Sequence, residues 1–265
     1  MSAIDEARPT DLAEPLVADL GPDPLLRKVA AELAGTAALV AVVVGSGIQA
    51  TELTSDVALQ LLANSTATVF GLGVLILLLG PVSGAHFNPV VTLADYVLGR
   101  RSRTGVDAET VAAFIPAQIA GGIAGAVLAN LMFNLPAVAA STHARTGGHL
   151  WLGEVVATAG LILLIFALAR TGRGAYGPAA VGAYIGAAYW FTSSTSFANP
   201  AVTIARSFTN SFAGIAPGSI GGFIAAQLLG AALGTGLVVL LFPHRPTPAK
   251  PLAPAEPSTI ARTAS

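Results

Sequence analysis

Two Asn-Pro pairs, Asn88-Pro89 and Asn199-Pro200, sit in matching frames, FNPVVTLA at 87–94 and ANPAVTIA at 198–205. Proline lacks a backbone N–H and has a fixed φ, which suits the first helical turn, and an asparagine before it suits the N-cap. Each pair therefore opens a helix. A helix N-terminus carries about half a positive charge, and the asparagine amide adds donors. Two such ends facing each other would welcome a neutral, oxygen-bearing solute and repel a cation or a migrating proton. One Asn-Pro alone reads as a simple helix cap; two in symmetric places favour a shared site.

Glu32 and Glu154 are the acids inside long apolar stretches. An unpaired carboxylate in lipid is costly, so each is a functional candidate, either carrying protons or accepting hydrogen bonds from irregular backbone nearby. Their symmetric placement near the starts of two stretches favours bracing. His86 lies two residues before Asn88 and reads as structural support rather than a pH gate. His143, His149 and His244 show no metal-ligand spacing. No Ser/His/Asp set, phosphate loop or His-Glu-x-x-His pattern occurs and cysteine is absent, so enzymatic, cofactor and metal readings lack chemistry.

These residues are carried by a membrane chain. Of its 265 residues 54% are hydrophobic and 10% charged, with a mean hydropathy of +0.72, whereas a soluble domain has roughly a quarter of its positions charged. The net charge of −1 argues against nucleic-acid binding. Six apolar stretches, near 25–48, 57–80, 110–133, 149–169, 176–193 and 219–242, each approach the ~20 residues that cross a bilayer. Residues 1–24 and 243–265 read as disordered cytoplasmic tails. With both termini inside, Arg27, Lys28, Arg100, Arg101, Arg103, Arg170, Arg173, Arg245 and Lys250 are cytoplasmic, and only Arg145 and Arg206 fall in outer loops.

The two halves repeat. AELAGT around Glu32 answers GEVVAT around Glu154, and AQIAGGIAGAVLA at 117–129 answers AQLLGAALGTGLV at 226–238, in the same order as the Asn-Pro boxes. Each half, about 25–133 and 149–242, holds three spans, so the second copy is inserted upside down and the short Asn-Pro helices meet near mid-membrane. Irregular backbone is tolerated there only along a cavity, which puts the carbonyls of Gly84, Ala85, His86, Phe87 and of Thr195, Ser196, Phe197, Ala198 on a wet pore. Gln118 and Gln227 are placed to hydrogen-bond the short helices. Gly121, Gly125, Gly230 and Gly234 let helices approach closely. Asp95 is expected near the inner mouth, hydrated or paired with Arg100 or Arg101.

SGAHFNPVVTLA and NPAVTIAR resemble the two signature boxes of the aquaporin, or major intrinsic protein, family, and the repeat extends the resemblance over 25–242. The resemblance implies an all-α, right-handed bundle of six spans and two re-entrant half-helices. It also implies a homotetramer in the cell (inner) membrane and passive conduction of water and small uncharged solutes through boxes Asn88, Pro89, Val90 and Asn199, Pro200, Ala201. Val90 departs mildly from the family's Asn-Pro-Ala. Carried over by ungapped offsets, the outer selectivity filter is Thr68, Ala187, Ser196 and Val202, with Gly186 the alternative to Ala187 if the loop length shifts the register and with Val202 where the family usually has arginine. Arg206, one turn on and about 6 Å further along the axis, is not expected to replace that arginine but to be a satisfied or snorkelling residue at the half-helix end. Such a filter is small-sided and uncharged, which suggests glycerol-like polyols and metalloid hydroxides such as arsenite. The alternatives are a generic water and glycerol channel or a secondary transporter of a small polar solute.

Overall fold

Helices account for almost all the regular structure in a computed structural model that describes residues 25–100 and 104–243. The expected tails and Arg101, Arg103, His244, Arg245 and Lys250 lie outside those residues. In chain order the helices are α1 (Leu25–Leu53), α2 (Val57–Ser83), α3 (Pro89–Gly99), α4 (Ala108–Met132), α5 (Gly148–Arg170), α6 (Gly177–Phe191), α7 (Pro200–Ala205) and α8 (Ile220–Leu241). Short 3-10 turns occupy Gly174–Tyr176, Arg206–Phe208 and Pro217–Ser219.

Local chemistry sets several boundaries. The Asp56 carboxylate accepts from the N–H groups of Ala58 and Leu59 and starts α2, and Asp107 accepts from Thr110 N at 2.8 Å to start α4. α3 and α7 have Asn88 and Asn199 as N-caps with proline in their first turns.

Five helices, α1, α2, α4, α5 and α8, are long and apolar enough to cross a membrane. The stretch at 176–193 departs from the expectation of six full-length spans: α6 has 15 residues, about 22 Å at 1.5 Å per residue, short of the ~30 Å hydrocarbon core. The turn at Gly174–Tyr176 extends it at one end, and at the other the chain leaves the helix at Thr192 to enter the second re-entrant loop. The second half-helix is shorter than the first: α3 has 11 residues, whereas α7 closes after 6 and passes into a 3-10 turn.

The halves are built on the same pairings, α1 against α4 and α5 against α8. Close approach explains the glycines between them. A Cβ on Gly121 or Gly125 of α4 would run into the carbonyls of Leu33 and Ala37 on α1, and one on Gly230 or Gly234 of α8 would lie 2.5 and 2.6 Å from those of Val155 and Ala159 on α5. Outward faces are greasy, with Phe70, Val74, Leu77, Leu229 and Leu240 exposed, as a lipid-facing surface requires.

Bulk is distributed differently at one corresponding pair of positions. In the first half the wholly buried Phe87 ring fills a notch that a side chain on Gly35 would close. In the second half the corresponding residues are Ala198 and Ala157, both wholly buried.

Candidate functional site

Each half-helix is capped by its own asparagine and tied to the other half by the same side chain. Asn88 Oδ1 accepts from Val90 N at 3.1 Å, while its Nδ2 donates to Ala198 O at 2.8 Å. Asn199 Oδ1 accepts from Ala201 N and Val202 N at 3.0 and 3.2 Å, while its Nδ2 donates to Phe87 O at 2.8 Å. An amide nitrogen carries two hydrogens, so each asparagine keeps a donor beyond this cross-tie, and both side chains line the central cavity.

The loops leading into the asparagines are strained alike. Gly84 and Thr195 have φ of 89° and 60°, Ala85 and Ser196 of 50° and 51°, and Phe87 and Ala198 of 48° each. Non-glycine residues in the left-handed region cost energy and persist only where surroundings hold them. The carboxylates do the holding. Glu32 accepts from Ser83 Oγ at 2.6 Å, His86 N at 2.9 Å, Phe87 N at 2.7 Å and Gln118 Nε2 at 2.7 Å. Glu154 accepts from Phe197 N and Ala198 N, both at 2.8 Å, and from Gln227 Nε2 at 2.6 Å. Both glutamates are wholly buried, and with these donors each acts as an acceptor post for one loop.

A second tier repeats the symmetry. Gln118 Nε2 also donates to Thr92 Oγ1 at 3.0 Å, and Gln227 Nε2 to Thr203 Oγ1 at 2.8 Å. The two threonines donate back to Asn88 O and Asn199 O. The halves differ at His86, whose Nδ1 lies 3.1 Å from Thr92 Oγ1 and whose ring meets Phe114 edge-on at 5.7 Å. Its counterpart Phe197 meets Phe223 edge-on at 5.1 Å.

A cavity of about 600 Å³ runs past both asparagines. Its walls include Gly84, Ala85, His86, Phe87, Ser196 and Phe197. Thr195 and Ala198, expected to present carbonyls, are not on its wall; the Ala198 carbonyl is taken by Asn88. Pro89, Val90, Pro200 and Ala201 stand behind it, all buried. Asp95, Gly174 of the 3-10 turn and Pro178 at the start of α6 flank one end. Asp95 Oδ2 accepts from Val106 N at 2.7 Å, and Arg100 sits over the Tyr96 ring.

At the other end Thr68, Ser196 and Val202 line the cavity; the expectation for Ala187 is corrected, and of the two roles expected of Arg206 one is set aside. Ala187 is exposed on the outside of α6. The inward row is Val181, Ile185 and Tyr189, spaced by four, and the Tyr189 hydroxyl lies 3.2 Å from Thr68 Oγ1. Arg206 does not snorkel. It is 3% exposed, its Cζ lies 3.4 Å from the Phe197 ring centroid, its Nε donates to Ala213 O, and it lines the cavity. Arg145, in the loop before α5, has its Cζ 5.2 Å from the same ring centroid, and burial lowers its pKa from the ordinary arginine value. The spacing of four along α6 is the signal that finds Tyr189. A distance of seven residues from each asparagine, shared by Asp95 and Arg206, marks the two charged wall positions.

The model of the Major intrinsic protein family matches residues 22–196. "Aquaglyceroporin AqpS" of Rhizobium meliloti (strain 1021) is 54% identical over 223 residues, covering 84% of this chain and 93% of its own. The "Glycerol uptake facilitator protein" of Pseudomonas aeruginosa is 31% identical over 271 residues, covering 87% and 94%. The X-ray structure of the aquaglyceroporin from Plasmodium falciparum superposes with a TM-score of 0.59 at 20% identity, over 81% of this chain and 96% of that one, and so shares the fold.

Proposed function

The chain belongs to the major intrinsic protein family, an integral membrane channel family, and from that premise we propose that it conducts water and small uncharged polyhydroxylated solutes passively. The observation that carries this reading is the single cavity passing two asparagines that are capped, cross-tied and left with donors to spare. Such a path exchanges a neutral solute's water hydrogen bonds for amide and carbonyl partners while offering no cage for a cation. The names of the relatives, aquaglyceroporin and glycerol uptake facilitator, support glycerol among the solutes.

Neutral metalloid hydroxides such as arsenous acid present the same array of O–H groups, and we include them in the solute class. The support is the hydroxyl-bearing side chains of Thr68, Tyr189 and Ser196 on the cavity wall, a residue set able to exchange hydrogen bonds with such groups. Exposed apolar faces and the bias of Lys and Arg support a place in the cell membrane with both termini in the cytoplasm, and membership of the family supports a homotetramer.

Stopped-flow light scattering on proteoliposomes tests the reading. Water and glycerol fluxes that grow linearly with the gradient, depend weakly on temperature and ignore ionophores are the expected result. Saturable uptake driven by a proton gradient would replace the channel by a transporter.

A further inference from the structure

The family resemblance places a filter arginine directly after the second box, where this chain has Val202, and so describes an unguarded outer pore. The side chains describe something else. We infer that Arg206, with Tyr189, Ser196 and Thr68, forms the cationic guard and solute-reading ring of the outer pore, and that Arg145 is a positioning residue for Arg206. The inference rests on the channel reading above and assigns its selectivity.

Val202 and Arg206 are four apart, so they follow one another along the lumen side of α7 and its continuing turn. Helical side chains lean toward their own N-terminus, which here is the mid-membrane end, so a long residue one turn further out reaches back over a short one. Valine leaves that room. The guanidinium lies flat enough on Phe197 to approach its centroid at 3.4 Å, and Phe197 is fixed in turn by Glu154 and Phe223. Its one hydrogen bond among the described residues leaves from Nε, so the N–H groups of both Nη atoms are left for a solute.

Three neighbours complete a reading surface. Ser196 lines the same cavity, and its Oγ is buried without a partner. Tyr189 OH and Thr68 Oγ1 lie 3.2 Å apart, and both residues line that cavity. A guanidinium fork beside hydroxyls suits adjacent hydroxyls of a neutral polyol, and its fixed charge in a narrow, low-dielectric lumen repels cations.

Arg145 holds the acceptor on which Arg206 depends. Its Nε donates to Gly214 O at 2.9 Å and its Nη2 to Phe212 O at 3.4 Å, on either side of Ala213, whose carbonyl takes Arg206 Nε. Arg145 N is itself tied to Ser219 Oγ at 2.9 Å, and Ala216 N to His143 O at 2.8 Å. Two guanidiniums thus grip three consecutive carbonyls.

The experiment uses the full chain in proteoliposomes, with water and glycerol flux by light scattering and proton flux by an internal pH dye under a valinomycin-set potential. Arg206→Leu is expected to raise proton flux about tenfold and lower the glycerol-to-water ratio several-fold. Arg206→Lys is expected to stay proton-tight yet lose glycerol preference, because an ammonium lacks the fork. Arg145→Gln is expected to raise the proton-to-water ratio with Arg206 intact, a readout that simple loss of folded channel would not move. An Arg206→Leu channel that conducts water but matches the wild type in proton tightness and glycerol preference overturns the assignment.

If Arg206→Leu does not assemble, Arg206→Gln and Arg145→Gln decide: both are expected to leak protons relative to water, and a channel as proton-tight and glycerol-preferring as the wild type in both overturns it. A wild-type chain that passes neither water nor glycerol above empty liposomes defeats the channel reading itself, and is told apart from these results on that ground.

Discussion

Asn88 and Asn199 each donate an amide hydrogen, at the same 2.8 Å, to the carbonyl of the residue that precedes the other. The tie is reciprocal, so it fixes the depth and the facing of both half-helices at once. Removing either side chain loses an N-cap and a buried hydrogen bond, about 1 kcal/mol each. Asn88→Ala and Asn199→Ala are each expected to lower the thermal unfolding temperature in detergent and to reduce water permeability. Because the second tie is weakened once the first is gone, the double variant should cost less than the sum of the singles. Strict additivity would mean that the two asparagines act independently.

The glutamates make a charge-neutral replacement informative. Gln in place of Glu32 or Glu154 keeps one acceptor oxygen but sets an NH₂ group against a loop N–H or against the neighbouring glutamine, leaving a buried donor unpaired at about 1–3 kcal/mol. Glu32→Gln and Glu154→Gln are expected to destabilise by similar amounts, read from detergent unfolding curves. A proton-carrying role predicts instead normal stability with altered pH dependence of flux.

Helix approach can be tested with two glycines. Gly125→Ala forces a methyl group against the Ala37 backbone and is expected to cost about 1–3 kcal/mol. Gly236 has open space around its added Cβ, so Gly236→Ala is expected to be neutral or to stabilise α8 by up to about 1 kcal/mol. The fraction of monodisperse protein after heating separates the two.

On α6 the inward and outward faces give opposite expectations. Tyr189→Ala removes a ring that walls the outer end and is expected to raise permeation of polyols larger than glycerol several-fold relative to water. Ala187→Leu adds bulk to an exposed position and is expected to leave the ratio unchanged. A selectivity change from Ala187→Leu alone would restore the filter position first read from sequence.

Much of this molecule could be read before any coordinates. Asn-Pro twice, a glutamate twice and a glutamine twice, in one order, describe helix starts and the donors and acceptors that irregular loops demand, because those requirements are local and repeat with the fold. The outer end resisted the same reading for a geometric reason. An ungapped offset assumes that α6 meets the second loop in an unaltered register, yet the face turned inward is the one carrying Val181, Ile185 and Tyr189. Residue spacing likewise says how far Arg206 stands along α7, but not that a short Val202 lets its side chain fold back onto Phe197.

The Phe87 ring and the notch at Gly35 have a consequence for how such a chain can change. Neither position is free by itself: a methyl at 35 collides with the ring, and a smaller residue at 87 opens a hole. With alanine at both 157 and 198 the other copy has already settled on a different solution to the same fit. The copies are alike in outline, but each entry loop is keyed to its own opening helix, so a graft between halves succeeds only when lock and key travel together.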